Sequence, residues 1–337
     1  MTDIQRRLGI FSVFFLPLIF IGFFQSWNVA LGIFNLCLIS ATMALGVNIQ
    51  LGYAGIFNAG VMGFAALGGL SAVLIAYPPV PETIKLGGKG VLLAFMILLV
   101  GTWLITFIYK SNQTKRFKKI IIPLIILILL VLFNFIGSPA IKKIEAFEPA
   151  ATGFLGGLGL PILFSWIVGG VFAGIVAYFI GKLTLGLRSD YLAIATLGIA
   201  EVIIYFLKNE NWLTRGVKNV NGLPRPVPYE VDLQGNKWFI EFCERYNFPL
   251  VETSSIVVKI SYCLLFSGVL ITLFVLSEIA LKSPWGRMMR AIRDNEVSAK
   301  AMGKNVKARH LEIFIIGSAV VGLAGAMLTT LEGQFTP

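Results

Sequence analysis

Glu201 is the residue of this chain whose type and position most suggest chemistry. It lies in the apolar run 192–207, and an acid inside a membrane is costly and usually faces a bundle interior or water. Two interpretations stay open: a structural carboxylate bonded to a neighbouring helix, or a group that lines a solute path. The chain has one histidine and three cysteines without a CxxC pair, so neither a zinc site nor a catalytic set can be assembled. Because no GxxxxGK[ST] phosphate loop occurs either, we expect no enzyme activity, metal or cofactor on this chain.

A basic loop at 283–306 provides the second set of candidates. Pro284 can open a helix, Gly303 can end it, and Asn295 interrupts its apolar side. The apolar stripe of that predicted helix consists of Met288, Ile292, Ala299 and Met302, and its polar side mostly of Arg287, Arg290, Arg293 and Lys300. A short amphipathic helix of this kind fits a membrane surface or a groove on a partner protein. The pattern by itself favours the membrane surface.

Small residues crowd the run 52–69, which contains Gly52. Gly55, Ala59 and Gly63 recur at every fourth position, so on a helix they would form a smooth ridge along one face. Such a ridge allows two helix backbones to approach closely. The alternative is a helix that breaks where it lines a cavity, which glycine also permits. The sequence favours close packing and leaves a solute path open.

The elements that must position these residues are membrane helices. The chain of 337 residues is 57% hydrophobic and 13% charged, whereas a typical soluble domain has about 25% charged residues. Crossing the hydrocarbon core takes about 20 apolar residues. Nine runs qualify, some of them short, near 8–25, 29–49, 53–76, 90–109, 120–137, 162–181, 190–207, 257–281 and 311–331. The predicted fold is all-α, a polytopic transmembrane bundle of about nine helices in a single domain, 1–337.

The distribution of basic residues predicts the orientation. Cytoplasmic loops of membrane proteins accumulate Lys and Arg. With a cytoplasmic N-terminus, the basic loops 110–119 and 282–310 fall on the cytoplasmic side, and the segment 209–255, with balanced charge, falls outside. The net charge of +11 therefore marks orientation, and no nucleic-acid partner is expected.

The outer segment 209–255 is too polar to span a membrane and too short for a full domain. We expect a partly ordered extracytoplasmic loop with a short helix. Asn221 and Gly222 within it have the chemistry of a tight turn. The default interpretation is an ordinary turn, and the functional alternative is an outer gate or a docking element.

Several blocks of the chain resemble a known family. Residues 296–303, EVSAKAMG, with Ile313 ten residues after Gly303, are similar to the EAA-type loop of ABC importer permeases, with Val297 in place of that loop's Glu. Further blocks resemble the permease subunits of branched-chain amino acid ABC transporters, the LivM type. They are LGYAG at 51–55, the stretch 191–201, NGLP at 221–224, SPWGR at 283–287, RAIRDNE at 290–296 and GLAGA at 322–326. The stretch between residues 78 and 160 matches least.

This resemblance implies a machine of several subunits. Two related permease subunits form the pathway in a prokaryotic cytoplasmic membrane, two ATPase subunits bind beneath it with ATP and Mg²⁺, and a periplasmic binding protein delivers the solute. The EAA-type helix is the mechanical link to the ATPase, and 282–310 becomes a coupling loop. The residues that would dock in a groove of the ATPase are Arg293, Asp294, Asn295, Glu296, Ala299 and Gly303.

The solute implied by the resemblance is a branched-chain or other hydrophobic amino acid. Urea or a short amide is the alternative within the same family. An ion-driven secondary transporter is the alternative from a different class; it predicts paired buried charges along the helices, and only Glu201 stands out as such a charge. Family members continue with apolar segments beyond the motif at 332–337, so we expect a chain truncated at its C-terminus.

Overall fold

The computed structural model describes residues 3–111, 114–148 and 152–337. In chain order the helices are α1 (Asp3–Phe24), α2 (Trp27–Asn48), α3 (Val61–Ala76), α4 (Pro81–Thr83), α5 (Lys89–Lys110), α6 (Lys115–Ala146), α7 (Ile162–Thr184), α8 (Ser189–Asn209), α9 (Asn211–Thr214), α10 (Glu230–Gln234), α11 (Lys237–Arg245), α12 (Leu250–Lys282), α13 (Pro284–Asp294), α14 (Glu296–Ala301) and α15 (Val306–Glu332). Ile49–Tyr53 and Ile84–Gly88 are π-helical turns, and Gly216–Lys218 is a 3₁₀ turn. The strands β1 (Val220–Asn221) and β2 (Gln334–Phe335) form a two-stranded sheet.

The all-α polytopic architecture is confirmed. Within the described residues, seven helical stretches are long and apolar enough to cross a membrane: Trp27–Tyr53, Pro81–Lys110, Phe117–Ala146, Ile162–Thr184, Ser189–Asn209, Leu250–Lys282 and Val306–Glu332. Two shorter apolar helices, Phe15–Phe24 and Val61–Ala76, coincide with the first and third predicted runs. Each of the nine predicted runs is therefore helical over most of its length.

The third predicted run, 53–76, is wrong as a single helix. Residues 55–60 are irregular, and α3 begins only at Val61. Gly55 has a φ of 70°, in the left-handed region that glycine adopts without strain. The predicted ridge of Gly55, Ala59 and Gly63 on one helix face therefore does not form.

The segment 209–255 contains more helix than the sequence predicted. It holds α9, α10 and α11 besides the 3₁₀ turn, and α12 already begins at Leu250. The prediction started that membrane helix at residue 257, because the polar first turn of α12, with Glu252 and Thr253, does not register as apolar. A polar turn costs little where a helix emerges from the hydrocarbon core.

The chain forms two compact units, each with its own packing. Unit 1 comprises Met1–Ala76, Leu160–Ile204 and Asn221–Phe335, and unit 2 comprises Tyr77–Gly159, Tyr205–Val220 and Thr336–Pro337. In unit 2, α5 and α6 pack along each other, and a Cβ on Gly101 would overlap the side chain of Leu129. The prediction of one transmembrane domain over 1–337 is not tested by this grouping.

In unit 1, α15 is the central helix and packs against α2, α3 and α7. Glycines make these close approaches possible. A Cβ on Gly68 would overlap the backbone of Gly322, and a Cβ on Gly325 would overlap the carbonyl oxygen of Ala65. Since no hydrophobic force drives apolar helices together within lipid, tight van der Waals packing at small residues stabilises this bundle.

The packing predicts that Gly68→Ala destabilises the protein, because the added methyl group meets backbone that cannot rotate away. Overpacking of this kind costs about 1–3 kcal/mol or more. Gly268→Ala in α12 is the matched control, since nothing lies within 4 Å of a Cβ there. Thermal unfolding in detergent, followed by tryptophan fluorescence, should show a lower midpoint for Gly68→Ala alone. Equal midpoints for the two variants would contradict the packing described.

Candidate functional site: a broken helix and its coupling helices

The irregular segment 55–60 interrupts a membrane helix in unit 1. α2 continues as the π-helical turn Ile49–Tyr53, and the chain leaves helical geometry at Gly55. Backbone groups freed by such a break must find partners inside a membrane, because lipid offers none. The Ile56 N–H donates back to the carbonyl of Gln50 at 3.0 Å. The N–H groups of Ala59 and Gly60 bind side chains instead.

Two amide side chains, Gln50 and Asn58, hold the break together, and we call them the amide clamp. Asn58 Nδ2 donates to Gln50 Oε1 at 3.0 Å, and Asn58 Oδ1 accepts from the Gly60 N–H at 2.9 Å. Gln50 Nε2 donates to the Phe314 carbonyl and to Ser318 Oγ on α15, both at 3.0 Å. Gln50 is 1% exposed and Asn58 6% exposed. The clamp therefore satisfies buried polar groups and ties the broken segment to the central helix.

α8 covers the other side of the break. The Ala59 N–H donates to Thr196 Oγ1 at 3.2 Å. A Cβ on Gly60 would overlap the Thr196 carbonyl oxygen, and a Cβ on Gly63 would lie 2.8 Å from Ala200 Cα. Ala59 and Gly63, which the sequence assigned to one ridge, therefore both meet α8, one through its backbone N–H and the other through its missing side chain.

The loop after α12 forms two helices where the sequence predicted one from Pro284 to Gly303. α13 ends at Asp294 and α14 starts at Glu296. Asn295 between them has extended backbone, and its Oδ1 accepts from the Ser298 N–H at 2.9 Å. This is the N-cap geometry that Asn favours. Gly303, with a φ of 76°, ends the turn after α14.

The division into two helices also changes the apolar stripe. Met289, Ile292 and Ala299 are buried, whereas Met302 is 78% exposed and Met288 is only half-buried. The predicted stripe is therefore wrong at Met302, because the turn at Asn295 breaks the helical period, whereas Met288 packs against the cluster that contains the buried members. The buried members pack in one cluster with Ile49 and Ala54, which precede the break, and with Ile56, which lies within it.

Arg293 connects α13 to the broken helix directly. Its Nη1 donates to the Gly52 carbonyl at 2.6 Å, and a Cβ on Gly55 would lie 3.2 Å from its Cγ. Its Nε and Nη2 donate to Asp294 Oδ1 at 3.1 and 2.9 Å. The structure thus brings together two residue sets that the sequence predicted separately, the coupling set and the small-residue set.

The other two arginines of α13 remain near the end of α12. Arg287 donates to the Lys282 carbonyl at 3.1 Å, and Arg290 lies 3.4 Å from the Leu281 carbonyl. Arginine reaches helix C-terminal carbonyls readily because its guanidinium carries five N–H donors. Only the third arginine, three residues later, crosses to the broken helix.

α14 presents an exposed surface that combines apolar and charged groups. Val297 is 77% exposed, close to the exposed Met302. Glu296 and Lys300 form an ion pair of 2.6 Å on the same short helix. The hydrogen bond from Lys300 lowers the pKa of Glu296 below its usual value, so this acid is ionised at neutral pH. An exposed apolar pair beside fixed charges is typical of a protein-binding surface.

Glu201 lies on the exposed side of α8. Across the described residues, no hydrogen bond or ion pair to its carboxylate is found. Both interpretations of Glu201 therefore stay predictions: the described residues offer no bonding helix, and they show no solute path. Thr196 and Ala200, on the opposite side of α8, are the residues that meet the break.

Asn221 and Gly222 are not part of this site. They lie beside β2, because the Leu223 N–H donates to the carbonyl of Gly333, which caps the end of α15. α15 begins next to α14 and runs for 27 residues, about 40 Å at 1.5 Å per residue. The two residues are therefore at the opposite end of unit 1 from the coupling helices. Gly222 has a φ of 78° and open space around it, so it serves a turn.

Comparison with known proteins decides the family. The model of the family described as "Branched-chain amino acid transport system / permease component" matches residues 150–337, which is more than half of the chain. The chain belongs to this permease family. Five of the six resembling blocks lie inside the match, and only LGYAG at 51–55 lies outside it.

Curated members of the permease family show the distance of the relationship. The chain is 28% identical over 176 residues to "High-affinity branched-chain amino acid transport system permease protein LivM" of Escherichia coli, covering 50% of this chain and 40% of that protein. It is 26% identical over 161 residues to a probable LivM of Methanocaldococcus jannaschii, covering 47% and 40%. The matches thus span less than half the length of these relatives. No solved structure matches the chain significantly.

The sequence missed the amide clamp. Gln50 and Asn58 are polar residues in an apolar stretch eight positions apart, which is a signal for partners inside the membrane. Their pairing could not be read from spacing, because it depends on the break that brings Asn58 back to Gln50. Ser318 carried no signal that would separate it from other small residues of α15.

We predict that Gln50→Leu destabilises the protein, because Asn58 Nδ2 loses its acceptor while it stays buried. A buried polar group without a partner costs about 1–3 kcal/mol. Gln25→Leu is the control, since Gln25 is exposed and surface changes stay within about 0.5 kcal/mol. Thermal unfolding in detergent should show a lower midpoint for Gln50→Leu only. A midpoint equal to that of Gln25→Leu would mean that the amide clamp does not stabilise the break.

Proposed function

We propose that the chain is a membrane-spanning permease subunit of an ATP-driven importer for branched-chain or other hydrophobic amino acids. Family membership supports the permease role, and the names of the relatives support the class of solute. The partners are a sister permease subunit, two ATPase subunits that hold ATP and Mg²⁺, and a periplasmic binding protein. The subunit spans the prokaryotic cytoplasmic membrane, with the N-terminus and the coupling loop 282–310 on the cytoplasmic side.

The hydrogen bond from Arg293 to the Gly52 carbonyl carries the mechanical part of this proposal. A subunit driven by a separate ATPase needs an element that receives movement and another that converts it into access for the solute. The coupling helices α13 and α14 are the first element, and the broken helix around 52–60 is the second. One charge-assisted hydrogen bond joins them, and such bonds are about twice as strong as neutral ones.

The docking surface for the ATPase is the exposed side of α14. Val297 and Met302 supply apolar contact, and the paired Glu296 and Lys300 supply charge. The opposite side of the coupling helices, with Met289 and Ile292, is buried in unit 1. A push on the exposed side is therefore passed to the cluster that contains Ile49, Ala54 and Ile56, because packed cores transmit strain.

Among the predicted coupling residues, Arg293, Asn295 and Ala299 act inside the chain in this proposal. Arg293 bonds the broken helix, Asn295 caps α14, and Ala299 is buried. Glu296 and Asp294 face outward and are the members that meet the ATPase. Gly303 sets the turn after α14 through its positive φ.

The proposed function is tested by uptake into proteoliposomes that contain the chain, its sister permease and the ATPase, with the binding protein added outside. We expect ATP-dependent accumulation of leucine and none of urea. The control replaces the general base of the ATPase partner, so that ATP binds without being hydrolysed. Uptake of urea in place of leucine would overturn the solute class, and uptake that persists without hydrolysis would overturn the ATP-driven mechanism.

In the same vesicles, Arg293→Gln should lower ATP-driven leucine uptake by about tenfold or more, the effect of losing one charge-assisted hydrogen bond of roughly 1.5–3 kcal/mol. Co-purification with the ATPase should not change, because the guanidinium bonds Gly52 and Asp294 within this chain. Arg287→Gln is the matched control on the same helix, since Arg287 bonds only the end of α12. ATP hydrolysis that continues in the Arg293→Gln complex identifies lost coupling. Equal uptake by the two variants would show that the bond to Gly52 carries no movement.

A further inference from the structure

Glu201 is an exposed acid in the middle of a membrane-spanning helix. It lies twelve residues from the start and eight from the end of Ser189–Asn209. Exposed apolar side chains surround it: Ile194 is 69% exposed and Val202 68% exposed. A bare carboxylate in contact with hydrocarbon costs several kcal/mol. The side of α8 that carries Glu201 must therefore meet water or a cation.

Glu312, a partly exposed acid near the start of α15, shows how this chain treats an acid that has partners. Glu312 lies six residues inside α15 and accepts hydrogen bonds from Trp285 Nε1 at 3.0 Å and Arg309 Nη1 at 2.8 Å. Glu201 has no comparable partner in the described residues. Its partner therefore lies outside the described residues.

The surroundings of Glu201 offer contacts for the ammonium group and the apolar side chain of a small amino acid. Gly198 lies one helical turn before Glu201, on the same side of α8, and nothing occupies the 4 Å around a Cβ built there. Leu197 and Val202 flank this notch and are exposed. A carboxylate beside a small notch and branched apolar side chains matches the ammonium group and the apolar side chain of a branched-chain amino acid.

The position of α8 connects this surface to the broken helix. Residues Thr196 and Ala200, on the opposite side of α8, contact Gly60 and Gly63 directly. Movement of the segment 55–60 therefore moves α8 and the side that carries Glu201. A solute contact at this position would change with each transport cycle, which a purely structural charge would not need.

We propose that Glu201 is a solute-binding residue whose carboxylate receives the ammonium group of the transported amino acid, with Gly198 as the notch beside it. This inference rests on the proposed function, because it takes the solute class from there. The exposed side of α8 then lines the pathway between this chain and its sister subunit.

The test measures charge selectivity at Gly198 in the assembled transporter. In a background without Cys37, Cys243 and Cys263, the Gly198→Cys variant is treated with two membrane-impermeant methanethiosulfonates, one carrying a trimethylammonium group and the other a sulfonate. With each rate divided by the same reagent's rate on a free thiol, we expect a preference of at least about tenfold for the cationic reagent, because the Glu201 carboxylate attracts cations. In Gly198→Cys/Glu201→Gln the preference should disappear, and saturating leucine should slow the cationic reagent in Gly198→Cys.

Two controls keep the result interpretable. Val131→Cys is the lipid-exposed control, because Val131 is 60% exposed on the apolar helix α6, and it should react with neither reagent. Co-purification of the sister permease with Glu201→Gln distinguishes the source of the cation. Unchanged assembly supports a solute ammonium, whereas loss of the sister subunit would show a side chain of that subunit and overturn the proposal.

Two further results of the labelling would overturn the proposal. A Gly198→Cys variant as unreactive as Val131→Cys would overturn the proposal, since the surface would then face lipid or packed protein. An unchanged preference after Glu201→Gln would overturn the role of the carboxylate. The labelling does not depend on transport. A transporter that moves no leucine but keeps the charge selectivity at Gly198 would therefore contradict the proposed function and still support a cation site at Glu201.

Discussion

A helix broken inside a membrane must satisfy its own backbone, and the architecture of unit 1 depends on that constraint. Gln50 and Asn58 supply the missing partners at 55–60, and Thr196 on α8 supplies another. Because each of these bonds reaches a different element, satisfying the backbone also joins α2, α8 and α15 around the break. The polar groups that make the break possible are thus the same groups that position it.

The break is held by hydrogen bonds, which can change partners when the segment moves. A continuous helix transmits displacement along its axis, whereas a broken one lets its two halves move separately. The amide clamp keeps α3 and the π-helical turn in one arrangement, and Arg293 gives the coupling helices access to the same turn. Gly60 and Gly63 leave room for α8 to lie against the segment, and Gly55 leaves room for the Arg293 side chain. The broken segment 55–60 can therefore move in few ways. The proposed function uses the movement that Arg293 would pass to it from α13.

Much of the fold was predictable because a membrane simplifies the problem. Apolar runs of sufficient length located nine helices, since the bilayer sets their length. The break at 55–60 was predicted only as the less favoured alternative, because Gly55, Ala59 and Gly63, spaced about one helical turn apart, fit a packed ridge equally well. The division at Asn295 had a visible signal in the sequence, because Asn295 interrupts the apolar stripe. The exposure of Met302 had no such signal. The bond from Arg293 to Gly52 spans 241 positions, and no local pattern encodes a contact of that range.

The unbroken length of α15 has a consequence for how the two ends of the solute path open. α15 is one unbroken helix from Val306, beside the coupling helices, to Glu332, beside β2 and the turn at Gly222. A stiff rod of about 40 Å shifts both of its ends together. On the proposed function, one end lies near the ATPase and the other near the entrance for the solute, so closing one mouth of the path and opening the other become a single event. On this proposal the path is never open to both sides of the membrane at once, so ions do not leak through it down their gradients.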